Sequence, residues 1–187
     1  MSGRTLLLSV VVALGCACGD GPKPAAPPPC DQECKDAIAL RALRETAKLA
    51  FNITPQGKPV GTYDVTAPCI RGGSARISGT ATSNALQGST DVKLTYVFDR
   101  CAYLQKDDDA KDNYSTTISG TLEQQGTMAV QPTSTTALLM KSAAITVTGT
   151  VYDPAEPYEA KDCPLDVVQN GNRIAGTMCA REVGLDL

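Results

Sequence analysis

Ile77-Ser78-Gly79-Thr80 recurs unchanged as Ile118-Ser119-Gly120-Thr121. Looser copies follow as Val147-Thr148-Gly149-Thr150 and Ile174-Ala175-Gly176-Thr177. Each sets a glycine two residues after a β-branched residue and directly before a threonine. Glycine weakens a strand interior, so the recurrence needs a structural reason. Side chains alternate between the two faces of a strand. Counting along each copy puts Ile77, Gly79 and Ala81 on one face, and likewise Ile118, Gly120 and Leu122. The same holds for Val147, Gly149 and Val151, and for Ile174, Gly176 and Met178. Thr80, Thr121, Thr150 and Thr177 fall on the other. The motif therefore predicts an inward glycine and an outward threonine. An inward glycine permits a sharp bend, or lets a bulky group sit against the backbone. Tyr96, Phe98 and a helix face with Leu43 and Phe51 are the candidates for that group. The copies are irregularly spaced, which argues against a solenoid of fixed period.

The chain beyond residue 58 reads as β throughout. Strands are expected near 60–66, 74–82, 90–98, 114–123, 126–131, 135–140, 143–152, 164–169 and 173–180. Turn signals such as Gly72-Gly73 and Asn170-Gly171 separate them. The third alternates plainly, with Val92, Leu94, Tyr96 and Phe98 on one face and Lys93, Thr95 and Asp99 on the other. No intervening segment is long enough for helical crossovers, so the strands should be antiparallel. The expected class is mainly β, an antiparallel sandwich or small barrel of eight or nine strands with one N-terminal helix. That helix spans 30–52 and forms one globular unit with the β domain of 58–187. Asp31 can cap it, Ala, Leu, Lys, Arg and Glu favour it, and Pro55 and Gly57 end it. Its apolar residues are not confined to one side, yet it should pack one face on the sheet.

The N-terminus, MSGRTLLLSVVVALGCAC, has one arginine and then an apolar run from Leu6 to Leu14. Such a run is too short to span a membrane, which takes about 20 residues, and it fits a secretory signal. This segment resembles the signals of bacterial lipoproteins, which end in small residues before a cysteine that is acylated. The resemblance implies lipidation at Cys16, with Cys18 as the alternative, and a signal over 1–17. The end of the apolar run favours Cys16. Parity favours Cys18, because cleavage there leaves six further cysteines, an even number suited to disulfides. Residues 19–29, GDGPKPAAPPP, include five prolines. They suit an extended tether, the linker of 18–29, reaching up to ~35 Å at polyproline spacing.

An exported protein keeps its cysteines oxidised. Cys163 and Cys179 flank a hairpin and should pair. Cys30, Cys34, Cys69 and Cys101 allow three pairings, two of which would staple the helix to the sheet. A three-residue loop at Asn170-Gly171-Asn172 sets Cys163 opposite Cys179, whereas a two-residue turn sets Met178 there.

The chain has 187 residues, 17 basic and 20 acidic, and no histidine. Without histidine it lacks the commonest general base and metal ligand and any Ser-His-Asp or Cys-His system. No catalytic residue, metal site or cofactor is expected. The balanced charge gives no nucleic-acid footprint. The acidic stretch of residues 106–113, KDDDAKDN, lacks the glycine and glutamate of a hand-type calcium loop and reads as a solvated loop. Aromatic residues make up 4 % of the chain, too few for the girdles of an outer-membrane barrel. The segment YDPAEPYE, with Tyr152, Glu156 and Tyr158, is the best candidate recognition loop, because prolines stiffen it and tyrosines supply contact area. The expectation is a cell-envelope protein, lipid-anchored at the outer membrane on its periplasmic or surface face. Its role would be non-catalytic binding or structural contact with an envelope protein or glycan. A small-barrel carrier of an apolar ligand or an enzyme inhibitor is the alternative, and a carboxylate-dependent hydrolase ranks last. A filled inner face would argue against the carrier, and the hydrolase requires a cleft with two carboxylates.

Overall fold

The computed structural model describes residues 28–53, 61–84, 86, 88–129, 131–133 and 136–187. Cys16, Cys18 and the tether through residue 27 lie outside them. The chain runs α1 (Gln32–Ile53), β1 (Gly61–Pro68), β2 (Ser74–Asn84) and β3 (Ser89–Gln105), then a short 3₁₀ turn (Ala110–Asp112). β4 (Tyr114–Ala129), β5 (Ala137–Val151), β6 (Glu156–Asn170), β7 (Arg173–Met178) and β8 (Arg181–Asp186) complete it. The eight strands form one sheet in chain order, each antiparallel to the next. Over the described residues the protein is thus mainly β and antiparallel with a single helix before the strands, as its sequence predicts. The sheet is one curled layer rather than two stacked ones, and it does not close, because β1 and β8 remain its edges.

The strands are longer than the turn signals suggest. The segments expected at 114–123 and 126–131 are one strand, β4, and those at 135–140 and 143–152 are β5. Gly126 and Ser142-Ala143 look like breaks but lie inside strands. Gly126 is another left-handed glycine, and Ser142 opens a bulge against β6. β6 begins at Glu156, well before the expected 164, since its exposed prolines Pro157 and Pro164 interrupt the pattern without ending the strand. β8 was not anticipated.

The motif glycines are where the sheet curls. Gly120 has φ +113°, and a Cβ there would lie 2.6 Å from the Ala144 carbonyl oxygen of β5. Gly149 has φ +143°, with the Ser115 carbonyl oxygen 2.0 Å from the same position. Only glycine tolerates both the dihedral and the approach. Gly79 and Gly176 repeat the arrangement. Three of the four sit opposite an inward aromatic ring: Gly79 faces Tyr63, Gly120 faces Phe98 and Gly149 faces Tyr158. Phe98 was foreseen in that role, whereas Tyr96 faces Ile77 and Leu122 instead. Outward hydroxyls in and beside the motif have a second use. Ser119 Oγ accepts from Arg100 N at 3.2 Å, and Thr146 Oγ1 accepts from Asp162 N at 3.2 Å. Both donors are left-handed bulge residues, so the side chains replace ladder bonds that the bulges remove.

The curled sheet makes a trough, and α1 lies in it. Leu40, Leu43, Ala42 and Ala47 are fully buried, and so are Ile77, Tyr96, Ile118 and Ile145 on the sheet. Ile38 and Ala42, on the flank opposite Leu40 and Leu43, are buried too. The helix is therefore embraced on more than one side, which corrects the expected one-sided packing and explains its weak amphipathicity. Alanines at 39, 42, 47 and 50 let it approach closely. Asp31 Oδ1 accepts from Cys34 N at 3.0 Å and caps the first turn.

Among the described residues there are three disulfides, Cys30–Cys34, Cys69–Cys101 and Cys163–Cys179. No bridge joins helix to sheet. Cys30–Cys34 closes the helix start on itself, and Cys69–Cys101 ties the end of β1 to the bulge of β3. Cys163 and Cys179 pair, but not across a three-residue loop. The turn is the two-residue Gly171-Asn172, with Asn170 opposite Arg173 and Leu165 opposite Met178. Cys179 reaches Cys163 diagonally from the next turn, where it is left-handed at φ 53° and donates to Pro164 O at 2.9 Å.

Replacing Gly120 by valine should destabilise the fold by about 2–4 kcal/mol, from dihedral strain and overpacking together. Urea denaturation measures it, and unchanged stability would mean that Gly120 does not make this close approach.

Candidate functional site

The residues expected to form an exposed recognition loop turn inward and hold the helix. Only Tyr152 to Ala155 form a turn, and Glu156 opens β6. Tyr152 is buried, and its hydroxyl donates to Pro28 O. Glu156 pairs with Lys35 Nζ at 2.6 Å. Tyr158 is buried, and its hydroxyl donates to Asp36 Oδ1 at 2.8 Å. The physical reason is the register. Tyr158 stands opposite Gly149, on the inward face of β6, where the missing side chain leaves room for its ring.

Asp36 is the centre of this contact and is 1 % exposed. Arg181, from β8, donates Nε to Oδ2 at 2.6 Å and Nη2 to Oδ1 at 2.8 Å. Gln32 Nε2 donates to Oδ1 at 2.9 Å. Burial raises the carboxyl pKa, but the hydrogen bonds from Arg181, Tyr158 and Gln32, with the charge of Arg181, outweigh it. The carboxyl is held below its usual 3.8. Burial, and then the Asp36 carboxylate, push the Tyr158 phenol up. Arg41 adds a further tie, pairing with Asp112 and donating Nη2 to Asp186 O at 3.2 Å. Sequence reading missed Asp36, which resembles any polar residue in a helix. Its signal is an aspartate among otherwise buried helix positions, which requires a cationic partner from elsewhere.

The acidic stretch of residues 106–113 is an ordered loop. Asn113 Oδ1 accepts from Asp107 N at 2.9 Å, and Nδ2 donates to Asp107 O and Asp109 O at 3.0 and 2.7 Å. Asp108, Asp109 and Asp153 line a depression of about 750 Å³ between this loop and the Tyr152 turn. All three are exposed. Among the described residues no group of three or more side chains is placed to hold a metal ion, and no helix is long and apolar enough to cross a membrane.

The helix does not fill the whole trough. Beside its C-terminal half a cleft of about 440 Å³ opens among β3, β4, β5 and β6. Phe51, Met128, Pro132 and Leu138 give it apolar walls, and Gln124 and Gln169 give it polar ones. Gln124 is buried, and its Oε1 accepts from the buried Tyr96 hydroxyl at 3.0 Å. Gln169 is likewise buried, donating Nε2 to Gly171 O at 3.0 Å and accepting from Arg44 Nε at 3.3 Å. The polar groups are thus fixed in orientation before anything binds. Apolar walls with a few oriented polar groups, in a volume of this order, are the usual make-up of a small-molecule site. No carboxylate belongs to the described lining.

No family model, curated protein or solved structure matches the chain. The fold and site define a class by their geometry: a single curled antiparallel sheet around its own helix, with a preformed cleft beside that helix.

Asp36→Asn should cost about 1.5–3 kcal/mol at neutral pH, because the neutral amide loses the charge-assisted hydrogen bonds from Arg181, whose own side chain is half-exposed and stays solvated. The carboxyl pKa is lower in the folded chain than in the unfolded one. Its stabilisation is therefore complete above about pH 5 and is lost as pH falls through 3.8 and then through the lower folded value. The gap between native and variant should narrow in acid. Urea curves at neutral and low pH test this, and an equal gap at both would rule out the charge as its source.

Proposed function

We propose a lipid-anchored protein of the cell envelope with a non-catalytic binding role, whose binding site is the cleft beside α1. The cleft is the observation that carries this reading. It offers apolar surface and oriented polar groups, and its described lining holds no carboxylate. The inner face of the sheet is filled along most of its length by the helix. That argues against a hollow barrel, and the bound molecule would be small and partly apolar. Contact with an envelope protein or glycan through the former loop of residues 152–159 loses its support, since its tyrosines are buried. The exposed aspartates at the opposite end give a hydrolase no protected pair of carboxylates.

The neutral fluorescent probe N-phenyl-1-naphthylamine should bind the full chain at one site with enhanced emission. Met128→Glu should weaken it about tenfold or more by placing a charge in the apolar wall. Absence of saturable binding would remove the reading. For the anchor, intact mass of protein extracted from membranes should show an acylated N-terminus beginning at Cys16 or Cys18. An unacylated N-terminus would remove the anchor while leaving the cleft reading in place.

A further inference from the structure

Arg44 and Lys48 stand on the helix wall of the cleft. Glu45 lies between them, with Oε1 accepting from Arg44 Nη1 and Oε2 3.5 Å from Lys48 Nζ. One carboxylate is thus shared by two cations, and a unit of positive charge is left over at the cleft. The chain as a whole carries net charge −3, so the cleft is a local reversal of sign. Arg44 is not free to swing away, because its Nε is tied to the buried Gln169. Its Nη2 and the Lys48 ammonium, which is 54 % exposed, remain as donors. A few residues along the same helix, Phe51 lines the cleft together with Met128 and Leu138. Cationic and apolar groups therefore share one cavity.

We propose that the cleft takes a single-chain amphiphile with an anionic head. The head is held by Arg44 and Lys48, and the chain lies against Phe51, Met128 and Leu138. This rests on the binding reading above and adds the chemistry of the ligand. Glu45 shows that a carboxylate fits between the two cations. A carboxylate or phosphate monoester from the ligand joins or displaces it and neutralises the remaining charge. Arginine suits that task because its fork donates two parallel hydrogen bonds to a planar anion. A neutral head would cover the excess charge without balancing it, and a cationic head would meet repulsion.

The test uses the full chain carrying Cys16→Ser and Cys18→Ser, so that no anchor of its own competes. Decanoate, decyl phosphate, decanol and decyltrimethylammonium are compared by calorimetry, with amide shifts locating each. At least one of the two anions should bind once per chain, about tenfold or more tighter than decanol, as one charge-assisted contact implies. The cationic amphiphile should not compete. Preference for decanoate would point to a fatty acid, and preference for decyl phosphate to a phospholipid-derived chain. Lys48→Gln, at an exposed position that leaves the fold intact, should weaken the anions several-fold and leave decanol unchanged. Arg44→Gln should weaken them further, with thermal unfolding confirming that it folds. Decanol binding as tightly as both anions, or Lys48→Gln leaving anion affinity unchanged, would overturn the anionic head while leaving the cleft as an apolar site. Failure of all four to shift residues of the cleft would overturn both.

Discussion

The carboxylate of Asp36 is drawn out of water and held there by Arg181, Tyr158 and Gln32, and the seating of the helix depends on it. A curled single sheet has no second sheet to cover its apolar face, so α1 must serve as that cover. Apolar packing alone would let a helix slide or rotate in a trough, since dispersion and the hydrophobic effect are non-directional. The ion pair is directional, and separating it leaves the buried Asp36 carboxylate without its partner. Arg181 comes from β8 and Tyr158 from β6, so one carboxylate also fixes two strands against the helix. No disulfide does this work, because all three bridges are local to the helix start or to the sheet.

The trough has its own cause. Strands of 15 to 17 residues form the middle of the sheet, and flat sheets of that length pack poorly against a helix. Left-handed glycines let neighbouring backbones approach more closely than a Cβ would permit, and bulges add local twist. The aromatic rings opposite three of these glycines fill the vacated space. Tyr158 joins the two devices, because its ring covers Gly149 while its hydroxyl reaches Asp36.

Much of this was legible in the chain and some was not. The face of each motif glycine followed from period-two counting, and so did the inward set on β3. The class followed from the lack of crossover segments. What escaped was set by tertiary contacts. Gly126 and the prolines of β6 are turn residues by propensity, yet cross-strand pairing carries the strands past them. The helix seemed poorly amphipathic because the sheet surrounds it. Tyr152 and Tyr158 looked like exposed contact residues, since nothing local shows that a glycine on the neighbouring strand makes room for a ring. The cleft was invisible for the same reason. Arg44, Gln124 and Gln169 are far apart in sequence and converge only once α1 is seated.

That seating also decides where the cleft lies relative to the chain's entry. Pro28, the first described residue, is held by Tyr152 at the end of β5, whereas Leu138 in the cleft stands at its beginning. A strand of that length extends roughly 40 Å. The cleft beside Phe51 therefore lies away from both the Asp36 cluster and Pro28. The Asp36 contact and the cleft thus occupy opposite halves of the helix, so the proposed anchor and the proposed binding site would not compete for one surface.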